Sequence, residues 1–162
     1  MWFVGAKPNP KIEGADEVVT KTNYDVEKKR IENLSNYRKV NYKNLYSGID
    51  VVFYGNGANR LEYDFTLAPN VDASQIRLNF DGAKDVSIDE QGNLIPLSPN
   101  PEIFQQKPVA YQIITGERRD VTVRYVINEQ SQISFVLGEY YKTQPLIINL
   151  VLSYPDYIVS RP

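Results

Sequence analysis

The 162-residue sequence contains no histidine and no cysteine. Without an imidazole or a thiol, the chain cannot build Ser-His-Asp or Cys-His nucleophilic sites, disulfides or the ordinary zinc sites. Any general acid or base would therefore be an aspartate, a glutamate, a lysine or a tyrosine. We predict no cofactor, no metal site and no catalytic residue.

Long apolar runs are also missing, because no segment reaches the about 18 residues that a membrane-spanning helix needs. The formal net charge of −2 argues against nucleic acid as a partner. Residues 1–6 are too short for the apolar part of a signal peptide and lack its basic start. We therefore expect either a cytoplasmic protein or a chain whose natural start lies upstream.

What the sequence does contain is alternation of apolar and polar residues, over segments 60–67, 76–80, 121–127 and 133–137. Side chains along a β-strand point to opposite faces in turn, so each segment presents one apolar face and one more polar face. This pattern is typical of antiparallel sheets with one face in water. The length suits one domain, and we predict a single β-rich domain over residues 1–162.

Turn residues separate the alternating segments, as in residues 89–93, 116–118 and 128–131. Their spacing of roughly eight to twelve residues favours a sandwich over alternating strands and helices. We predict an all-β antiparallel sandwich and leave open one short helix in the first third. Residues 16–34 are the candidate for that helix, although several threonines weaken its apolar spacing.

Tyrosine is the residue type in excess, with 12 copies. Exposed aromatic rings stack on sugar rings or on partner chains, and tyrosine is also favoured in strands for its shape alone. Tyr140 and Tyr141 follow Gly138 in a predicted loop, and we predict them as the ligand-binding pair.

Two carboxylates provide an alternative site. Glu62 and Asp64 lie two residues apart on one predicted strand, so they share a face at roughly 7 Å, a spacing compatible with glycosidase carboxylates. The competing interpretation places them on a solvated sheet face, paired with Arg60, Arg77 or Arg124.

Residues 40–55 read Val-Asn-Tyr-Lys-Asn-Leu-Tyr-Ser-Gly-Ile-Asp-Val-Val-Phe-Tyr-Gly. This run resembles the pattern V-x-Y-x-x-V-Y-x-G-I-D-L-V-Y-Y-G, which opens the N-terminal module that precedes SBBP β-propeller repeats in bacterial cell-surface proteins. Further segments are similar in the same order: 3–10, 61–65, 68–76, 88–94, 107–112 and 145–154. That module usually carries acidic residues where this chain has Tyr141 and Asn149, so a role for those carboxylates does not carry over.

The resemblance implies an extracellular or cell-surface location and a module or fragment of a longer surface protein. We therefore predict a non-catalytic module that acts in adhesion, ligand binding or support of an adjacent β-propeller. A carbohydrate-binding module that uses exposed tyrosines is the first alternative, and a carboxylate-based glycosidase is the second. The expected partners are the propeller repeats or an extracellular glycan or protein, and exposed strand edges would also allow a homo-oligomer.

Overall fold

The computed structural model of the protein describes residues 1–26, 29–55, 60–80, 86–96 and 104–153. These residues form an antiparallel β-sandwich, as the alternation predicted. The strands are β1 (Trp2–Phe3), β2 (Lys11–Val26), β3 (Lys29–Tyr46), β4 (Ile49–Gly55), β5 (Leu61–Leu67), β6 (Leu78–Asn79), β7 (Val86–Ile88), β8 (Leu94–Pro96), β9 (Phe104–Gln105), β10 (Val109–Ile114), β11 (Glu117–Val121), β12 (Val123–Ile127), β13 (Ile133–Leu137) and β14 (Leu146–Ser153). A single 3-10 turn, Ala73–Gln75, is capped by the Asp72 side chain, which accepts from the Ser74 amide.

The two sheets differ in size. The smaller has the order β1-β6-β13-β12, and the larger runs β2-β3-β4-β5-β14-β9-β8-β7. Strand β14 is the centre of the larger sheet because it pairs with β5 along one edge and with both β10 and β9 along the other. Strand β10 also pairs with β11, so the larger sheet divides into two branches beyond β14.

The core lies between the sheets and is rich in aromatic rings. Tyr63 and Phe65 on β5 are fully buried, and the Phe65 ring meets the Phe135 ring of the smaller sheet edge-on at 6.1 Å. Aliphatic side chains from β4 and β14 complete this face. Burying each such side chain contributes about 1.5–3 kcal/mol, so this contact region is the main source of stability.

One polar side chain is built into the core. Gln105 accepts a hydrogen bond from the Tyr63 hydroxyl at 2.6 Å and donates to the Tyr125 hydroxyl at 2.8 Å. Tyr125 in turn donates to the carbonyl of Gln106. A buried polar group is costly when it lacks a hydrogen-bonding partner. This series of hydrogen bonds joins the two sheets, and the bonds offset the cost of removing the three side chains from water.

The prediction of a short helix in the first third of the chain is wrong. Residues 16–26 and 30–34 lie in strands β2 and β3, which form a long antiparallel hairpin. The β-branched run of Val18, Val19, Thr20 and Thr22 favours extended backbone over helix. Register shifts within β2, between Val18 and Lys21 and between Thr22 and Tyr24, interrupt the strict alternation that would have marked the segment as a strand.

Most of this hairpin extends beyond the sandwich. Strand β3 pairs with β4 only from Lys39 onward, so among the described residues the strand segments 16–26 and 29–38 pair only with each other. We name these residues the arm. Among the described residues, no helix is long and apolar enough to cross a membrane.

Candidate functional site

The loop that joins β13 to β14 carries Tyr140 and Tyr141, and a buried glutamine holds it in place. Gln112 on β10 is fully buried. Its Oε1 accepts from the Tyr141 amide at 2.9 Å, and its Nε2 donates to the carbonyl of Tyr141 at 2.9 Å. The same Nε2 also lies 3.2 Å from the carbonyls of Gln144 and Pro145. A single buried side chain therefore supplies an acceptor to the Tyr141 amide and a donor to the loop carbonyls, in addition to the bond that the Tyr141 carbonyl accepts from the Gln144 amide.

The cross-strand register brings a cation to this loop. Arg119 on β11 is paired with Gln112, and paired residues of an antiparallel ladder point to the same face. Its Nη1 donates to the Tyr141 hydroxyl at 2.9 Å, and its guanidinium lies 4.7 Å from the centre of the Tyr141 ring. The two contacts fix the orientation of a ring that is still 50% exposed.

Tyr140 has a different environment, although it is adjacent in sequence. Its ring packs against the core and is only partly exposed. The Lys142 ammonium lies 3.8 Å from the centre of this ring, a cation–π contact. The site thus combines the half-exposed ring of Tyr141, the anchoring ring of Tyr140, the loop residue Lys142 and Arg119 from β11.

Together these residues line a groove of about 710 Å³. Its walls are Arg119, Leu137, Gly138, Glu139, Tyr140, Tyr141 and Lys142. Aromatic surface combined with a few fixed hydrogen-bonding groups is typical of ligand sites. The predicted pair Tyr140 and Tyr141 therefore lies in a groove, and Tyr141 is the member whose ring faces solvent.

The second predicted group lies on the outer face of the larger sheet. Asn149 of β14 donates from its Nδ2 to Asp64 at 2.7 Å and to Glu62 at 3.4 Å, which confirms that both carboxylates share a face. The Tyr54 hydroxyl lies 3.1 Å from Asp64 Oδ1 and 3.2 Å from Oδ2. The alternative pairing of Asp64 with arginines is not seen, because neutral donors occupy its carboxylate.

The electrostatics of this outer group follow from its partial burial. Burial raises the pKa of Asp64, and the hydrogen bonds from Asn149 and Tyr54 offset only part of that rise. Burial and the neighbouring Asp64 charge also raise the pKa of Tyr54, so its phenol stays a donor. An open cavity of about 470 Å³ beside this group is bounded by Asp16, Lys39 and Asn41 among others.

Sequence reasoning found the two tyrosines and the two carboxylates but missed their partners. Lys142 directly follows Tyr141 but belongs to no recognisable pattern, and Arg119 and Gln112 are remote from both motifs in the sequence. A glutamine at an inward strand position is nevertheless a usable signal. Tyr54 and Asn149 meet Asp64 only because β4, β5 and β14 are neighbours in the sheet. In the described residues, no three side chains of the metal-binding types converge on a point.

The sequence profile of one family, described as a domain of unknown function (DUF7948), matches residues 1–149. The chain therefore belongs to the DUF7948 family. No curated protein matches the sequence, and no solved structure matches the fold.

Proposed function

We propose that this member of the DUF7948 family is a non-catalytic binding module of a secreted or cell-surface protein, and that it binds glycan in the groove at Tyr140 and Tyr141. The observation that carries this proposal is the half-exposed Tyr141 ring, held by Gln112 through the backbone and by Arg119 through the hydroxyl. The faces of sugar rings present C–H groups, and an exposed aromatic ring offers a matching apolar platform.

Preorganisation is the physical reason to choose this loop over other exposed tyrosines. Ordering a loop on binding costs free energy, and a loop already fixed by buried hydrogen bonds avoids that cost. Tyr37, by contrast, is similarly exposed but lies on the arm, where no buried side chain among those described fixes the backbone.

The test is a glycan panel followed by titration calorimetry of each hit. Tyr141→Ala should weaken binding by about five- to tenfold, since an aromatic contact contributes about 1 kcal/mol. Tyr37→Ala removes a tyrosine of similar exposure and should leave the affinity unchanged. If no glycan binds at millimolar concentration, or if both variants bind as the wild type does, the groove is not a glycan site.

The proposal also covers where the protein is located and which domain it lies beside. The resemblance to the module that precedes SBBP repeats supports an extracellular or cell-surface location and a role beside a β-propeller in adhesion or support. Reading the coding sequence on both sides of this segment tests it. An upstream signal peptide and downstream propeller repeats are expected, and a free-standing gene with neither would contradict the proposal.

A carboxylate-based glycosidase is the second candidate, favoured by one observation. Asp64 combines a raised pKa with a second carboxylate, Glu62, that shares a donor with it, and such pairs can supply an acid and a base. A screen of chromogenic glycosides is the test. Turnover that disappears in Glu62→Gln would establish the enzyme, and turnover no higher than the blank would remove this candidate.

A further inference from the structure

We propose that the ligand of the groove is an acidic glycan, in which the sugars carry carboxylate groups. This inference rests on the proposed glycan-binding function and names the class of sugar. It follows from the two cations that line the groove and from the kind of contact each one makes.

Arg119 reaches the groove with most of its donors free. A guanidinium carries five N–H groups, and the described structure uses one nitrogen, Nη1, for the Tyr141 hydroxyl. No described carboxylate lies within ion-pair distance of Arg119, whereas its neighbour Arg118 is paired with Asp120 at 2.8 Å. The planar fork of Arg119 therefore remains available for a carboxylate, which it fits with two parallel hydrogen bonds.

Lys142 supplies the second charge on the other side of the loop. Its ammonium lies over the Tyr140 ring and makes no ion pair with the described residues. The Lys142 charge helps to lower the pKa of Asp72, but that carboxylate already accepts from the amide and the hydroxyl of Ser74. Lys142 can therefore donate to a ligand without first breaking a salt bridge.

Glu139 is the one acidic side chain in the lining, so the groove carries an excess of positive charge. Both cations lie against aromatic rings, which hold them in place without neutralising their charge. A neutral sugar would use the ring of Tyr141 but would leave this charge uncompensated. A sugar with a carboxylate would use the ring and the charge together.

The experiment compares matched ligands. Galacturonate, glucuronate and mannuronate oligomers are titrated against the full chain by calorimetry, alongside their methyl esters, which keep the rings and remove the charge. The acid form should bind about tenfold or more tightly than its ester, as expected for hydrogen bonds to a charged group. Raising the salt concentration should weaken only the acid form, because salt screens the attraction.

Variants assign the effect to named residues. Arg119→Gln should abolish the preference for the acid form, and Lys142→Gln should reduce it. Arg118→Gln is the matched control, because adjacent strand residues point to opposite faces and Arg118 contacts Tyr111 instead. It removes the same charge from the neighbouring position and should leave the preference intact.

The outcomes separate the two proposals. If acid and ester bind equally, or if only neutral glycans bind, the acidic class is wrong and the glycan site stands. If sulfated oligosaccharides bind and uronates do not, the carboxylate assignment is wrong. If no oligosaccharide of any kind binds, the proposed function itself fails. An equal loss of preference in Arg118→Gln would show that the effect is general charge and would overturn the site.

Discussion

The sandwich and the arm are built from the same kind of strand, yet they are stabilised in different ways. In the sandwich, β5 and β14 have neighbours on both edges and a second sheet over one face. In the arm, β2 and β3 have only each other, and Val19 is 98% exposed. A two-stranded hairpin alone is marginal in water, so the arm depends on its junction with the sheet.

The comparison teaches that alternation reports extended backbone and does not report packing. Ile31, Leu34 and Tyr37 in the arm are exposed, whereas Tyr63 in β5 and Ile148 and Leu150 in β14 are buried. A strand contributes stability through what covers its face, and the arm has no such cover among the described residues.

The largest expected contrast is between a core ring and an arm side chain. Phe65→Ala should lower the free energy of unfolding by about 3–5 kcal/mol, because it removes a fully buried ring that contacts both sheets. Leu34→Ala in the arm should cost less than about 0.5 kcal/mol. Urea denaturation of both variants measures the difference. A large effect of Leu34→Ala would show that the arm is packed in solution.

Removing a hydrogen bond should also cost more stability in the sandwich than in the arm, although the difference should be smaller than for the core ring. Gln112→Ala removes the acceptor of the Tyr141 amide and a donor to the nearby carbonyls, and should cost about 2–3 kcal/mol. Asn36→Ala removes a contact to the Thr20 carbonyl in the arm, where water can replace it, and should cost under about 1 kcal/mol. Thermal unfolding tests both, and equal costs would contradict the comparison.

Two glycines allow the same comparison for an added side chain: Gly48 lies against Val71 in the sandwich, and Gly14 lies against Tyr37 of the arm. Gly48 has φ +76°, and an added Cβ would lie 2.5 Å from Val71 Cγ2, so Gly48→Ala should cost about 1–3 kcal/mol. At Gly14 an added Cβ would meet the ring of Tyr37, which is exposed and can rotate away. Gly14→Ala should therefore cost less than Gly48→Ala. The opposite order in denaturant titrations would mean that the Tyr37 ring is fixed.

The smallest expected effects are those of pH on stability. Asp64 in the sandwich and Glu17 in the arm should contribute with opposite signs. Because burial raises the pKa of Asp64 above 3.8, stability from this group falls as pH rises from 3.8 through the raised value. Because the hydrogen bond from Lys21 lowers the pKa of Glu17 below 4.5, stability from that group rises as pH climbs to 4.5.

The variants Asp64→Asn and Glu17→Gln should each remove one of these opposing slopes. Denaturation of wild type and variants at a series of acidic pH values measures the change. If Asp64→Asn makes stability fall more steeply with pH, the assigned sign is wrong.

Self-association remains a prediction, and the arm is relevant because it contains an edge strand of the larger sheet. Strand β2 is an outer edge of the larger sheet, but its register shifts interrupt the regular pairing that another copy would need. Sedimentation across micromolar concentrations tests the predicted homo-oligomer, and a monomer throughout would contradict it.

Much of the sandwich was predictable from the local alternation of apolar and polar residues. The segments around Tyr63, Val123 and Ile133 alternate cleanly, and all three are strands in which alternate apolar side chains are buried. The shared face of Glu62 and Asp64 was also predictable, because a period of two places residues i and i+2 together. Residues 16–34 were misjudged because register shifts destroy the period on which that reasoning depends.

What the sequence determined by itself is therefore local: the extended backbone, the absence of imidazole and thiol chemistry, and Tyr140 and Tyr141 as candidates. Only the tertiary structure decided which side chains meet. Gln112 and Arg119 face each other across the local β10–β11 hairpin, but they reach Tyr141 because β10 pairs with the distant strand β14, and Asn149 reaches Asp64 because β14 pairs with β5. The register of long-range pairs depends on how both sheets bury their faces together, so no single segment encodes it.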